Sequence, residues 1–353
     1  MKPWIIYGAN GYTGRLIVAA AAARGHRPVI AGRNRAEVAE LASKFGLESR
    51  VFALDDPAEL IRALEGMFLV LHCAGPFSAT SQPMIEGCLE TGVHYLDITG
   101  EISVFENAWR QSDVARKRDV ILCPGVGFDV VPTDCLAAAL VKQLPAATEL
   151  VLAFEPGGGP SRGTAKSGVE GLGNGGCVRK NGELKRVPLA WKTRQIPFDH
   201  AERTAVTIPW GDVFTAWVST GVPDVEVYMS VPRTAVRKLR RLRFFQPLLR
   251  LRWVQSFLKK RVNSRAKGPD SETRARNQSH IWGEVRSADA RSVSGTLVTP
   301  NGYDLTVTAS LGIVEHLLKK NDHEGGYLTP SLLLGADYVT TLPGVEMRIG
   351  APD

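Results

Sequence analysis

The sequence predicts an α/β protein in which a doubly wound parallel sheet is followed by a second, α+β domain with a mainly antiparallel sheet. Three observations predict it. Short, almost wholly apolar runs alternate with helical stretches over the first third of the chain, and such runs suit parallel strands buried on both faces. A glycine-rich turn joins the first run to the first helix. Beyond about residue 150 the strands alternate apolar and polar residues instead, which suits an antiparallel sheet with one wetter face.

Taken in order, Trp4–Tyr7 is the first strand, ending at Gly8, and Thr13–Arg24 the first helix, closed by Gly25. Pro28–Gly32 is a strand, Arg35–Phe45 a helix, Arg50–Leu54 a strand and Pro57–Leu64 a helix. Phe68–Cys73 is the fourth strand, Gln82–Thr91 a helix, Val93–Leu96 the fifth strand, Phe105–Arg118 a helix and Asp119–Cys123 the sixth strand. Right-handed crossovers then make one parallel sheet. Asp134–Gln143 reads as a helix and Leu150–Phe154 as a strand. Val225–Met229 and Leu305–Ala309 alternate as antiparallel strands, and Leu328–Thr340 is a final helix with Thr329-Pro330 at its start. The domains expected are 1–129, 130–325, and a C-terminal helix and tail, 326–353, returning to the first.

Gly8-Ala9-Asn10-Gly11-Tyr12-Thr13-Gly14 places three glycines between strand and helix. Glycine allows a tight turn and close backbone approach to a pyrophosphate, and the helix N-terminus offers N–H groups and a positive dipole end. This is the phosphate-binding turn of a Rossmann-type domain. An acidic residue after the second strand would bind the ribose 2′-hydroxyl of NAD; the sequence has Gly32-Arg33-Asn34-Arg35 instead. A guanidinium pairs with a 2′-phosphate that a carboxylate would repel. The expected cofactor is therefore NADP(H), held by Gly8, Asn10, Gly11, Tyr12, Thr13, Gly14 and Arg33, with Arg35 in support. Asp55 either meets the adenine amino group or shares with Asp56 the capping of the helix at Pro57. Ala74, Gly75 and Pro76, at the end of the fourth strand, line the nicotinamide side of the crevice.

These blocks, with Ala31-Gly32-Arg33, Ala74-Gly75-Pro76-Phe77, Tyr95-Leu96-Asp97-Ile98-Thr99-Gly100-Glu101 and Gly125-Val126-Gly127-Phe128-Asp129-Val130-Val131-Pro132-Thr133-Asp134, resemble the saccharopine dehydrogenase-like oxidoreductases. Within them the resemblance is greatest to the branch that includes bacterial trans-acting enoyl reductases, and it covers residues 1–140. It implies a Rossmann domain, a substrate domain with an antiparallel sheet, and NADP(H) chemistry. Saccharopine as substrate does not follow, because one fold serves several reactions.

Hydride transfer needs a positioned substrate and usually one proton donor or acceptor. His94, Tyr95, Asp97, Thr99 and Glu101 surround the end of the fifth strand; Asp129, Thr133 and Asp134 follow the sixth. Glu101 and Asp129 are the candidate catalytic groups. Against this, Asp97 also suits a turn cap, and Glu101 and Asp134 suit the first turn of a helix. Gly157–Gly176, with Ser161, Arg162, Thr164 and Lys166, reads as a long glycine-dense loop, either a lid or a surface connection. Neither an HExxH or Cys/His cluster nor a GxSxG elbow is present, so no metal and no covalent intermediate is expected.

The net charge of +7 hides an asymmetry. Residues 233–267 hold thirteen Lys or Arg and no Asp or Glu, which leaves −6 for the rest. Between the cations stand Leu239, Phe244, Phe245, Leu248, Leu251, Trp253, Phe257 and Leu258, with Pro247 dividing two short helices. The segment suits an anionic membrane surface or an acidic acyl-carrier partner, and equally a helix pair packed on its own domain with a solvated basic face. Nucleic acid is not expected, since no recognised module accompanies it. Five scattered cysteines without CxxC spacing suit reduced thiols. Met1-Lys2-Pro3 runs straight into the first strand, leaving no room for a signal peptide, so a cytoplasmic and peripherally membrane-associated protein is expected.

The function expected is hydride transfer to or from an unsaturated, carbonyl or imine group of a small-molecule substrate, lipid-like or acyl. The alternative is a non-catalytic NADP(H)-binding sensor or membrane-associated scaffold. A homodimer is compatible with either.

Overall fold

In the computed structural model, residues 2–249, 251–265, 268–320 and 324–351 are described. Arg250 and residues 266–267 of the basic segment lie outside them, as do the side chains of Arg162, Lys166, Arg252 and Lys259. Two compact units are present, Met1–Asp129 with Leu305–Leu333, and Val130–Asp304 with Leu334–Asp353.

The first unit opens with β1 (Trp4–Tyr7), α1 (Tyr12–Ala23), β2 (Val29–Gly32), α2 (Arg35–Phe45), β3 (Ser49–Val51) and α3 (Pro57–Leu64). It continues through β4 (Leu69–His72), α4 (Phe77–Thr91), β5 (His94–Asp97), α5 (Ile102–Arg110), α6 (Ser112–Lys117) and β6 (Ile121–Cys123). Ile5, Ile6, Leu69, Val70 and Leu71 are completely buried and Trp4 nearly so, as strands covered on both faces must be. Each large aliphatic side chain so buried contributes about 1.5–3 kcal/mol.

In the second unit follow α7 (Val131–Gln143), β7 (Ala147–Glu155), α8 (Arg162–Asn174), β8 (Gly176–Lys180), β9 (Glu183–Val187), β10 (Thr193–Pro197) and β11 (Glu202–Thr207). Next come α9 (Asp212–Thr220), β12 (Asp224–Ser230), α10 (Arg233–Leu242), a 3-10 turn at Arg243–Phe245, α11 (Gln246–Leu249), α12 (Arg252–Arg265), α13 (Ser271–Arg276), β13 (Gln278–Ser287) and β14 (Ser292–Pro300). The chain then passes through α14 (Gly302–Lys319), β15 (Gly326–Tyr327), α15 (Pro330–Leu334), a second 3-10 turn at Ala336–Thr341 and β16 (Glu346–Ile349).

The first sheet runs β15-β6-β5-β4-β1-β2-β3, and every pairing in it is parallel. The strand order reverses at β1, so the turns after β1 and β4 flank the topological switch point where doubly wound sheets bind ligands. The second sheet runs β10-β11-β12-β7-β13-β14-β16, with β8 and β9 attached at β12. Its pairings are antiparallel except for β12 with β7.

Four expectations are corrected. Leu305–Ala309 is not a strand but lies in α14, whose buried side chains occupy nearly every position from Leu305 to Leu311; burial on all sides erases the helical period. The glycine-dense stretch is not a loop: Ser161 caps α8 by accepting from Thr164 N–H (3.3 Å). Within it Gly173 serves close packing, since a Cβ there would lie 2.9 Å from the Leu249 carbonyl and the Gln255 amide, whereas Gly168 and Gly171 have open space around them. The helix expected over Leu328–Thr340 is a short α-turn and a 3-10 turn, interrupted by Gly335 at φ +88°. Finally, the chain rejoins the first unit at Leu305 and leaves it after Leu333, so the tail beyond belongs to the second unit, not the first. Tyr327 supplies the edge strand beside β6 that a two-residue run could not announce.

Candidate functional site

The glycine turn is built by backbone. Gly8 and Ala9 N–H both donate to the Ala31 carbonyl (2.8 and 3.1 Å), and Gly11 N–H donates to the Gly8 carbonyl (3.0 Å). Gly8 stands at φ +80°, and a Cβ there would meet the Ala74 backbone nitrogen at 2.7 Å; only glycine suits both the conformation and the space. A Cβ at Gly14 would lie 2.3 Å from the Gly8 carbonyl oxygen, so α1 can approach the turn only because residue 14 lacks one. Gly11 is the N-cap of α1, with no capping side chain and no acid in the first turn. Such a helix end favours an anion.

Arg33 is exposed at the end of β2. The charges of Arg33, Asp55 and Glu59 all act on the Tyr7 hydroxyl: burial first, opposed by Arg33 and aided by the two acids, raises it to about 12. The ends of β1, β2 and β3 thus share one electrostatic neighbourhood. Asp56, not Asp55, caps α3, accepting from Glu59 N–H (3.0 Å), and Asp55 stays exposed.

Glu37 was not anticipated from the sequence. Asn34 accepts from Glu37 N–H (3.3 Å) and donates to Glu37 Oε1 (2.8 Å), a reciprocal cap of α2. The other oxygen of Glu37 accepts from the Asn10 amide (2.8 Å), and Arg15 lies 3.9 Å away. One carboxylate therefore ties the β2–α2 turn to the glycine turn. The Asn-x-x-Glu spacing at 34–37 was the available signal.

Ala74, Gly75 and Pro76 follow β4 directly. The Thr80 hydroxyl donates to the Ala74 carbonyl (2.7 Å) and lies 3.0 Å from His72 Nε2, which assigns Nε2–H as the donor to Thr80. His72 is completely buried, and burial lowers its pKa to about 3, so the ring is neutral. Below the unfolded-state value of 6.5 the unfolded chain takes up a proton there and the native one does not. Stability is therefore full above that pH and lost as pH falls toward 3, by about 1.4 kcal/mol per unit. His72→Phe is expected to flatten this acid limb by about 2 kcal/mol between pH 6.5 and 5. Urea unfolding at both pH values measures it; parallel losses in variant and wild type would refute the assignment.

At the ends of β5 and β6 the acids divide by role. Asp97 is buried and accepts from Tyr95 O–H (2.6 Å), Thr99 N–H (2.9 Å) and Gly125 N–H (2.9 Å). Burial raises its pKa to about 6 against those three hydrogen bonds, with Glu101 adding to the rise. It is a clamp joining two loops. Glu101 accepts from Phe77 N–H (3.2 Å) and Ser78 N–H (2.7 Å), capping α4 from the loop after the neighbouring strand β5. Asp129 packs on Gly100, where a Cβ would meet its Oδ2 at 2.9 Å. Burial first, then the charge of Glu101, raises the Asp129 carboxyl to about 7. Asp134 lies buried in the first turn of α7, in the second unit.

In the second unit Asp199, His200 and His280 come together, one ligand-type atom of each lying within 4.8 Å of the other two. His280 Nδ1 is 2.7 Å from Asp199 Oδ1, and Glu155 faces His200 and Arg203 at 3.5 Å. Eighty residues separate the two histidines, so spacing could not announce the group.

Residues 4–123 match the saccharopine dehydrogenase NADP binding domain. The saccharopine dehydrogenase-like oxidoreductase of Bos taurus is 28% identical over 214 residues, 52% of this chain and 50% of the relative. The trans-acting enoyl reductase of Mycobacterium leprae is 27% identical over 151 residues, 40% of this chain and 35% of the relative. The chain thus spans about half the length, or less, of these curated relatives. Apo saccharopine dehydrogenase (L-Glu forming) of Saccharomyces cerevisiae superposes with a TM-score of 0.65 at 10% identity, covering 99% of this chain and 100% of that one; the likeness is one of fold.

Proposed function

We propose, from the premise that residues 4–123 are a saccharopine dehydrogenase-type NADP-binding domain, that this chain is an NADP(H)-dependent oxidoreductase. The observation that carries the reading is the edge formed by the glycine turn, the acid-free N-terminus of α1 and the exposed Arg33. The narrow spaces at Gly8 and Gly14 let the backbone approach a pyrophosphate. When bound, NADPH supplies a hydride. The chain's own residues would hold it by the glycine-turn backbone and Arg33, with Ala74, Gly75 and Pro76 along the next strand end.

Glu101 acts as a positioning residue, fixing the start of α4 beside those small residues. Asp129 is the proton donor, since a carboxyl held near neutrality is matched to proton transfer at that pH. The substrate class is an unsaturated, carbonyl or imine group on a lipid-like or acyl molecule. The similarity to a trans-acting enoyl reductase and the apolar, cationic segment after β12 support it.

The test is a fluorescence titration with NADPH and NADH, followed by turnover on enoyl and keto acyl thioesters and on imines. Tighter binding of NADPH and oxidation of it by at least one class are expected. Binding without turnover on any class would leave a sensor or scaffold; absence of binding would remove the cofactor assignment itself.

A further inference from the structure

Large apolar side chains exposed among the described residues are scattered, except in one place. Phe244, Phe245, Leu248, Leu251, Trp253 and Phe257 all lie within fourteen residues, with Phe244 85%, Trp253 68% and Phe257 59% exposed. Phe244, Phe245, Trp253 and Phe257 keep more than half of their surface in water. α12 is anchored through Gln255, whose amide donates to the Val169 carbonyl in α8 (3.1 Å) and to the Leu249 carbonyl in α11 (2.6 Å), and the neighbouring Val254 is buried. At 100° per residue, Trp253, Phe257 and Lys260 fall on a different stripe of that helix. A cluster of exposed large apolar side chains of this kind marks an interaction surface.

A second feature adjoins it. A depression of about 300 Å³ is lined by Arg233, Arg237, Arg240, Thr193, Gln195 and Thr204. Arg240 donates to Thr193 Oγ1 (2.8 Å) and Arg233 approaches Thr204 Oγ1 (3.4 Å), so hydroxyls and guanidiniums face one space. The three arginines share one face of α10, and Phe244 follows Arg240 by one turn. The whole stretch 233–267 contains no acid.

We infer that this segment docks the chain on anionic bilayers. A phospholipid phosphate sits in the arginine-lined depression, and the aromatic side chains enter the headgroup and acyl boundary. Charge alone would suit an acidic carrier protein as well. The bilayer is favoured because Phe244, Trp253 and Phe257 stand out into water beside the cations, and an interfacial site takes up both kinds of group together. Among the described residues no helix is long and apolar enough to cross a membrane; the contact is a surface one. It stands apart from the cofactor chemistry, so either can fail alone.

The experiment is flotation of the full chain with vesicles of phosphatidylcholine, and of phosphatidylcholine mixed with phosphatidylglycerol. Partition into the mixed vesicles is expected to exceed the neutral ones by at least tenfold, since each Lys or Arg near the surface is worth roughly fivefold. Phe244→Ser with Trp253→Ser lowers it by about a hundredfold, and Arg237→Gln by roughly fivefold. These side chains are exposed, so circular dichroism and thermal unfolding stay as in the wild type. Equal partition into both vesicles, indifference to the Phe244 and Trp253 substitutions, or binding to an acidic acyl carrier without vesicle partition would each overturn the proposal.

Discussion

Arg33→Glu is expected to weaken NADPH binding by a hundredfold or more, while NADH binding holds or strengthens. The side chain lies exposed at the end of β2, where a dinucleotide's adenosine ribose is received. Charge-assisted hydrogen bonds to a phosphate contribute about 1.5–3 kcal/mol, or ten- to a hundredfold, and a carboxylate adds repulsion to their loss. The fold should tolerate the change, because α2 is capped by Asn34 and Glu37 rather than by Arg33. Titration of both nucleotides on both proteins decides the matter. Equal losses for NADPH and NADH would mean that Arg33 does not read the 2′-phosphate and that the preference lies elsewhere on the edge.

What was legible in the sequence and what was not have separate physical causes. β1, β2 and β4 are buried on both faces, so their apolar runs stand out without any periodicity to interpret. The glycine turn was legible because its geometry forbids other residues at Gly8 and Gly14. α14 was misread because a helix enclosed on all sides displays no stripe, and its β-branched Thr306, Val307 and Thr308 imitate a strand. α8 was misread because glycine is a poor helix former, yet here it admits the Leu249 carbonyl at close range.

At the site, the positions of Glu101 and Asp129 could be named from motif blocks, but their tasks could not. The capping of α4 by Glu101 joins residues 24 apart, and the pressure that holds Asp129 near neutrality comes from burial and from Glu101 together. Both are properties of the folded chain.

That difference in task makes Asp129 the more informative position for chemistry. Asp129→Asn is expected to lower kcat for NADPH oxidation by about 10²–10⁴-fold, the range typical for loss of a positioned acid, with NADPH affinity unchanged. In the wild type, kcat should fall as pH rises through about 7, where the carboxyl loses its proton; the variant should lack that limb. Stability supplies an independent check. A carboxyl raised from 3.8 to about 7 in the native state binds its proton more tightly there than in the unfolded chain. Its stabilising contribution is therefore complete below about pH 4 and is lost as pH rises through 7. The asparagine variant should accordingly lose less stability than the wild type between pH 4 and 8, even if it is inactive. A variant that keeps both its kcat and the alkaline limb would show that the proton comes from another group. A variant that loses activity while its stability falls with pH as in the wild type would remove the raised pKa, and with it the physical reason for choosing Asp129 as the donor.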